Sequence, residues 1–189
     1  MRLKRELFVN LQPTLVAKRL IFLDESGMRL GATTRYGWAP RGAKAFGKAP
    51  GAWKTVTMIG AIGLNGFRGF ANIESGTTSD VFRAFVIQQL VPNLKKGDCV
   101  VWDNLSAHKD ADAIRAIEAV GASVYFLPPY SPEFNPIEKL WAKLKEYVRR
   151  LATDTRELFD DAVARAMDTI SLEDIAAWYM HCGYDIAST

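Results

Sequence analysis

The sequence lacks the features that would send the chain to a membrane or into an export pathway. It has no apolar run that approaches the roughly 18 residues of a membrane-spanning helix. Its basic start, MRLKRELFVNLQPTL, has no apolar segment followed by the small residues of a secretory cleavage site. We therefore expect a cytoplasmic protein with no membrane partner.

Cysteine is also scarce. Cys99 lies inside an apolar run and Cys182 near the C-terminus, with no C-x-x-C spacing. This pattern argues against a disulfide framework and against a zinc or redox motif. A serine hydrolase is disfavoured as well, because no G-x-S-x-G elbow occurs and His108 has no evident nucleophile partner.

The net charge of +3 permits a nucleic-acid partner without arguing for one. Its distribution is more informative, because the stretch from Arg29 to Lys54 holds six basic residues and no acidic one. Two interpretations stay open: a surface that follows a phosphate backbone, or a solvated, glycine-rich loop with aromatic anchors. The aromatic residues interleaved in this stretch are Tyr36, Trp38, Phe46 and Trp53.

Alternation between apolar runs and turn residues predicts five strands and at least four helices. The Asn65-Gly66 pair is a strong signal for a two-residue hairpin turn between the second and third strands. Thr78 or Ser79 is expected to cap the first long helix, and Pro92 to close it. The predicted strands are 19–26 (ended by Gly27), 55–63, 67–74, 98–104 and 122–127, and the predicted helices are 79–91, 110–120, 137–151 and one or two within 155–180.

This order of elements predicts an α/β protein with the ribonuclease-H-like fold. In that fold a mixed five-stranded sheet has three antiparallel strands followed by α/β crossovers, and helices flank the sheet. Residues 1–18 are expected to form a helical or loose lead-in, and residues 19–189 a single domain. Because a fold does not define a function, the function must be argued from the site.

Two aspartates follow apolar strand sequences directly. Asp24 comes after Leu20–Leu23, and Asp103 comes after Val100–Trp102. If these strands are parallel neighbours, their carboxyl ends meet at one rim, where ligand sites of α/β sheets gather. A carboxylate beside a buried strand needs a compensating partner such as a divalent cation or an arginine. Turn or cap chemistry is the alternative at both positions.

Glu138 stands at the start of an amphipathic helix and has two interpretations. It can be the third helical residue of a capping box, with Asn135 as the N-cap and Pro136 first in the helix. It can instead join the two aspartates in a metal site. The apolar stripe of this helix is predicted to be Ile137, Leu140, Trp141, Leu144, Val148 and Leu151.

Three such carboxylates suit cleavage of a phosphodiester bond by in-line displacement. Two magnesium ions about 3.5–4 Å apart can stabilise both the entering and the leaving oxygens. Magnesium prefers oxygen ligands and keeps several waters, and manganese accepts the same ligands. Without metal the three charges repel, so the metal-free site should be partly open or disordered, and metal should order it.

The segments DESG (24–27), WDNLSAHK (102–109) and LPPYSPEFNPIEKLWAKLK (127–145) resemble the DDE transposases of the insertion sequence 630 family, which are bacterial relatives of mariner elements. RYGWAPRG (35–42) and HCGY (181–184) are also similar to this family. Thirty-four residues separate Asp103 from Glu138, which matches the spacing of the mariner-type group.

The resemblance implies a DNA transposase that depends on Mg²⁺, with Mn²⁺ as the other candidate, and that uses two ions. Such an enzyme cuts at transposon ends and joins the exposed 3′-hydroxyls to target DNA, typically at TA. Asp24, Asp103 and Glu138 become the metal ligands and catalytic triad, with Asn104, His108 and Asn135 nearby. For His108 a proton-transfer role and a solvated position at a helix start both stay open. The candidate DNA-binding residues are Arg35, Arg41, Lys44, Lys139 and Lys143.

Members of this family usually carry an N-terminal helix-turn-helix portion, for which about eighteen residues leave no room. We therefore expect a separate helix-turn-helix polypeptide from the same element, a DNA-dependent homodimer, and association with the nucleoid when DNA is bound. The alternative is a catalytically silent transposase remnant that acts as a DNA-binding or regulatory module. Other ribonuclease-H-like enzymes, such as junction resolvases and retroviral-type integrases, are disfavoured by the PPYSPEFNPIE segment.

Overall fold

The protein is described by a computed structural model that covers residues 2–32, 38–46, 54–74, 76–103 and 110–187. Five strands form one sheet, and helices cover both of its faces. The strands are β1 (Leu20–Arg29), β2 (Thr55–Gly63), β3 (Gly66–Ile73), β4 (Cys99–Trp102) and β5 (Ser123–Phe126). The helices are α1 (Arg2–Leu11), α2 (Ser79–Phe85), α3 (Ala111–Ala119), α4 (Ile137–Leu151), α5 (Arg156–Asp168) and α6 (Leu172–His181).

The sheet has the strand order β3-β2-β1-β4-β5. β1, β2 and β3 pair antiparallel, whereas β4 is parallel to both β1 and β5. This is the predicted mixed sheet, in which a meander of three strands is followed by two α/β crossovers. No helix in the described ranges has the length and apolarity that a membrane crossing requires.

The hairpin between β2 and β3 is confirmed, with its loop one residue earlier than the sequence suggested. Gly63 pairs with Gly66, so the two loop residues are Leu64 and Asn65. Gly66 opens β3 with a φ of 106°, a backbone conformation that glycine adopts without steric cost. The asparagine-glycine pair therefore supplies one loop residue and the first strand residue.

The predicted end of the first strand at Gly27 is wrong. β1 continues to Arg29, and Gly27 pairs with Thr57 inside the antiparallel ladder with β2. The ladder hydrogen bonds of β2 outweigh the low strand propensity of a single glycine. Asp24 consequently lies within β1 rather than at its end, although the parallel pairing with β4 stops at Phe22.

The helix predicted for 79–91 is not one continuous α-helix in the structure. Thr78 caps α2 by accepting a hydrogen bond from the Val81 backbone N–H at 3.3 Å. After Phe85 the chain continues as a π-helical turn (Val86–Leu90) and a short 3₁₀ turn (Val91–Asn93) that contains Pro92. Pro92 lies in the first positions of this turn, where its missing N–H is tolerated, and the helical segment ends one residue after it, at Asn93.

The alternation of side chains along the strands divides the core into two clusters, one on each face of the sheet. Phe22 and Val101 point towards α1, α4, α5 and α6, whereas Leu23 and Trp102 point towards α2 and α3. β4 is therefore covered on both faces, as its apolar sequence predicted.

α4 has the predicted bounds and packs its apolar stripe against β1 and β2. The inclusion of Leu151 in that stripe is wrong, because its side chain is half exposed at the end of the helix. Ala152 follows in the left-handed conformation, with a φ of 48°. The buried stripe consists of Ile137, Leu140, Trp141, Leu144 and Val148.

The ring of Trp141 lies directly against β2 at Gly60. The side chain of Trp141 is 1% exposed, and a Cβ added to Gly60 would lie 2.8 Å from its Cη2 atom. The same Cβ would lie 3.3 Å from the ring of Phe70. Glycine at this position therefore allows the large ring of α4 to approach the sheet closely.

Gly60→Ala should lower the free energy of unfolding by about 1–3 kcal/mol, because the added methyl group overpacks a buried ring contact. Urea unfolding measures this change. Gly76→Ala is the control, since its Cβ would meet nothing within 4 Å and should change stability by no more than about 0.5 kcal/mol. Equal losses in the two variants would contradict the close packing of Trp141 on Gly60.

Candidate active site

The pairing of β1 with β4 brings Asp24 and Asp103 to adjacent positions. Phe22 and Val101 are partners in the parallel register, and each is followed two residues later by an aspartate. Side chains two residues apart in a strand share a face, and neighbouring strands lie about 4.8 Å apart. Both carboxylates therefore stand on the α4 side of the sheet, where the parallel pairing has just ended.

A cavity of about 310 Å³ lies in front of these aspartates. Glu138, from the first turn of α4, reaches the same cavity, so three separate elements contribute carboxylates to it. The segment between β5 and α4 forms the remaining wall. The lining residues are Asp24, Asp103, Leu127, Pro128, Pro129, Tyr130, Ser131, Pro132, Asn135 and Glu138.

The capping-box interpretation of Glu138 is wrong. The N-cap of α4 is Pro136, and no side chain caps the helix. Asn135 instead ends a short 3₁₀ turn, Pro132–Phe134. The Glu138 side chain is exposed towards the cavity rather than folded back on the helix end. The first turn of α4 is therefore free to present this carboxylate to a ligand.

Asp24 is the most perturbed carboxyl group of the site. Burial, and after it the charge of Glu138, raises the pKa of Asp24 to about 7. Hydrogen bonds from the Glu25 backbone and from the indole of Trp141 act in the opposite direction. Trp141 Nε1 donates to Asp24 Oδ2 at 3.2 Å. The tryptophan that packs on Gly60 thus also orients a carboxylate of the cavity.

Lys145 lies on the same side of α4 as Glu138, two turns further along the helix. It is half-buried, and burial together with the charge of Arg149 lowers the pKa of its ammonium group. The charges of Glu138 and Asp24 oppose that shift. A cation therefore stands close enough to interact with both carboxylates.

The donor set of the cavity suits a hard divalent cation. Three carboxylates and an amide carbonyl line it, and oxygen ligands are those that Mg²⁺ and Mn²⁺ prefer. Within the described ranges, however, no three acidic, histidine or cysteine side chains form a group that could hold one ion.

The sequence also matches a known protein family. Residues 19–159 match the family described as DDE superfamily endonuclease, which is well over half of the chain. The chain belongs to the DDE superfamily endonucleases. No curated protein matches its sequence at a significant level.

Solved structures similar to this DDE endonuclease chain include several of Mos1 transposase. The Mos1 mariner paired-end complex with Mn superposes with a TM-score of 0.76 at 14% identity. The paired-end complex with the left transposon end gives 0.74 at 15% identity. The isolated Mos1 catalytic domain gives 0.67 at 13% identity, with 99% of this chain and 90% of that chain covered. These matches confirm the ribonuclease-H-like fold.

The chain spans only part of the Mos1 transposase in those complexes. Each of the two paired-end structures is covered to 60% of its chain, whereas 99% of this chain is matched. The matched part therefore corresponds to the catalytic domain of Mos1.

Several predicted site residues of this DDE endonuclease fall outside the described ranges. They are Asn104 and His108 of the segment after β4, and Arg35 of the loop between β1 and β2. Arg41 and Lys44 of that loop are described and exposed. Trp38 and Phe46, which flank these two cations, are also almost fully exposed. Contact of Arg41 and Lys44 with DNA stays a prediction.

The two lysines predicted for DNA binding on α4 differ in their surroundings. Lys139 is exposed. Lys143 Nζ instead forms an ion pair with Asp174 Oδ2 at 2.6 Å and donates to the Thr169 carbonyl at 3.2 Å. The structure thus gives Lys143 a contact that ties α4 to the start of α6. Its role in DNA binding stays a prediction.

Sequence reasoning missed Trp141 and Lys145 as members of the site. Trp141 was assigned to the apolar stripe, which is correct for its ring but leaves out its N–H donor. Its position three residues after Glu138 was a usable signal, since residues three apart are neighbours on a helix surface. For Lys145, the seven-residue spacing from Glu138 was the corresponding signal.

The raised pKa of Asp24 predicts a pH dependence of stability in the metal-free protein. A carboxyl group with a pKa of about 7 when folded and 3.8 ordinarily binds its proton more tightly in the folded state. The free energy of unfolding should therefore fall as pH rises from about 4 to 7, with a slope of at most about 1.4 kcal/mol per pH unit. Urea unfolding across this range measures it.

Asp24→Asn isolates this effect, because the other carboxyl groups remain in both proteins. The stability of the wild type minus that of the variant should decrease with rising pH. A difference that stays constant or increases would show that Asp24 is not protonated more readily in the folded protein.

Proposed function

We propose that this DDE endonuclease is the catalytic domain of a DNA transposase, which cleaves DNA at transposon ends and joins the 3′-hydroxyls to target DNA. The observation that carries the proposal is the meeting of Asp24, Asp103 and Glu138 in one cavity, from β1, the end of β4 and the start of α4. The Mos1 structures with transposon-end DNA and as a strand transfer complex support it.

Asp24, Asp103 and Glu138 would hold the divalent ions, Mg²⁺ or Mn²⁺, in this cavity. The Mos1 paired-end complexes with Mn and with Mg support the choice of these ions. Two bound ions would stabilise the charge on the attacking and leaving oxygens of an in-line displacement at phosphorus. Oxygen ligands alone do not distinguish the two metals.

The residues of the chain itself position the reactants. Trp141 holds Asp24 by its 3.2 Å hydrogen bond and keeps the carboxylate turned towards the cavity. Glu138 is exposed in the first turn of α4 and can move towards the aspartates without disturbing the core. The segment from Pro128 to Pro132 forms one wall of the cavity. Tyr130 is largely exposed on this wall, with a φ of 54°.

Within the superfamily we propose the insertion sequence 630 group, on the segments at 24–27, 102–109 and 127–145. Insertion at TA, a helix-turn-helix polypeptide for recognition of the ends, and a DNA-dependent dimer belong to the same proposal. The silent-remnant alternative is not favoured, because the three carboxylates and their cavity are intact.

Asp103→Asn and Glu138→Gln should each lower nicking of supercoiled plasmid DNA by at least about 100-fold in Mg²⁺ or Mn²⁺, because each removes a charge that would bind the ions. Binding of the same DNA should change little. Gel analysis of nicked plasmid and a filter-binding assay measure the two quantities.

Glu146→Gln is the matched control for these variants, since Glu146 is an exposed residue of α4 paired with Arg150. Calorimetry of Mg²⁺ binding adds an independent test. Loss of binding in both Asp24→Ala and Glu138→Ala would place residues 114 positions apart in one metal site. Wild-type nicking in Asp103→Asn would remove the catalytic assignment.

Arg41→Gln combined with Lys44→Gln should flatten the salt dependence of DNA binding. Each phosphate contact contributes about −0.9 to the slope of log K against log salt, so loss of both should reduce its magnitude by up to about 2. Arg115→Gln is the control, because Arg115 lies on α3, across the sheet from the cavity. An unchanged slope in the double variant would assign these cations to a solvated loop.

A further inference from the structure

Asn135 carries a buried hydrogen-bond acceptor that has no donor. Its side chain is 4% exposed, and its Oδ1 atom has no partner in the described structure. The backbone of Asn135 is held on both sides: its N–H donates to Pro132 O at 3.0 Å, and its carbonyl accepts from the Glu138 N–H at 3.2 Å. These bonds fix the backbone of Asn135, which lines the cavity three residues before Glu138.

Other buried polar atoms without a partner are Arg68 Nε, Asn72 Oδ1, Thr77 Oγ1 and Trp102 Nε1. None of them belongs to a residue that lines the cavity of the three carboxylates. Asn72 is a useful contrast, because its Nδ2 donates to Asp160 Oδ1 at 2.7 Å and so anchors the side chain. Among the described lining residues of the cavity, Asn135 alone has such an atom.

The neighbours of Asn135 in the cavity do not supply a donor for it. Ionised carboxylates only accept hydrogen bonds, and the prolines of the wall have no N–H. Of the two hydroxyl-bearing residues there, Ser131 donates its Oγ–H to Pro129 O at 3.3 Å, and Tyr130 is largely exposed. A buried acceptor without a donor destabilises a folded protein. An occupant of the cavity that brings O–H donors would remove this penalty. DNA phosphates bring only acceptors, whereas the waters of a hydrated divalent ion bring polarised O–H groups.

We propose that Asn135 Oδ1 accepts a hydrogen bond from a water bound to a divalent ion in this cavity. Asn135 is then a positioning residue, which acts on the ion through its water while the carboxylates hold the ion directly. This inference rests on the proposed function, since it requires the carboxylates to bind the ion. Groups that hydrogen-bond to the ligands of a metal ion typically contribute about 10–100-fold to the affinity for that ion.

The test uses the whole chain, with Mg²⁺ alone as the probe. Asn135→Leu removes the acceptor with little change in size, and should raise the Kd for Mg²⁺ in calorimetry by about 10-fold or more. The melting temperature without metal should stay equal to that of the wild type or rise, because the unpaired acceptor is gone. The increase in melting temperature on addition of Mg²⁺ should shrink.

Two further variants keep the test interpretable. Asn72→Leu removes a structural amide and should lower the melting temperature without changing the Kd for Mg²⁺. Asn135→Asp keeps an acceptor but adds a charge, so it should melt lower without metal and regain stability in Mg²⁺. A purely structural role of Asn135 would not predict that Asn135→Asp regains stability in Mg²⁺.

An unchanged Kd in Asn135→Leu, with intact binding by the wild type, would overturn this inference alone. So would a loss of metal-free melting temperature as large as that of Asn72→Leu. Absence of Mg²⁺ binding by the wild type would overturn the proposed metal site, and this inference with it.

Discussion

The parallel pairing of β1 with β4 sets the geometry on which the whole cavity depends. Phe22 opposite Val101 is its last pair, and beyond it β1 continues alone against β2. Asp24 and Asp103 therefore emerge side by side where the ladder opens. A register shift of one residue in β4 would turn Asp103 to the opposite face, because side chains alternate along a strand.

The cavity combines burial with like charge, two conditions that both disfavour ionised carboxylates. Together they raise the pKa of Asp24 to about 7. The fold offsets part of this penalty through the indole N–H of Trp141 and the nearby ammonium group of Lys145. The divalent cation proposed for this cavity would neutralise the same charges.

Much of this arrangement was predictable from local patterns. The apolar periodicity of α4 predicted its bounds and five of its buried residues, and the order of elements along the chain predicted the fold class. The errors came where local signals compete. Gly27 has a low strand propensity, yet β1 continues through it because its backbone pairs with β2. Asn135 and Glu138 have capping-box spacing, yet Asn135 belongs to a 3₁₀ turn and Pro136 takes the cap position.

By itself the sequence determined which segments become strands and helices, and that three acidic residues lie in or directly after such segments. Those properties depend on neighbours along the chain, which a sequence displays directly. Only the tertiary structure decided that Trp141 donates to Asp24, 117 residues away, and that Asn135 keeps an unpaired acceptor in the same cavity. The contact of Trp141 with Asp24 accompanies a close approach of α4 to β2 at Gly60, a distance that no local pattern encodes.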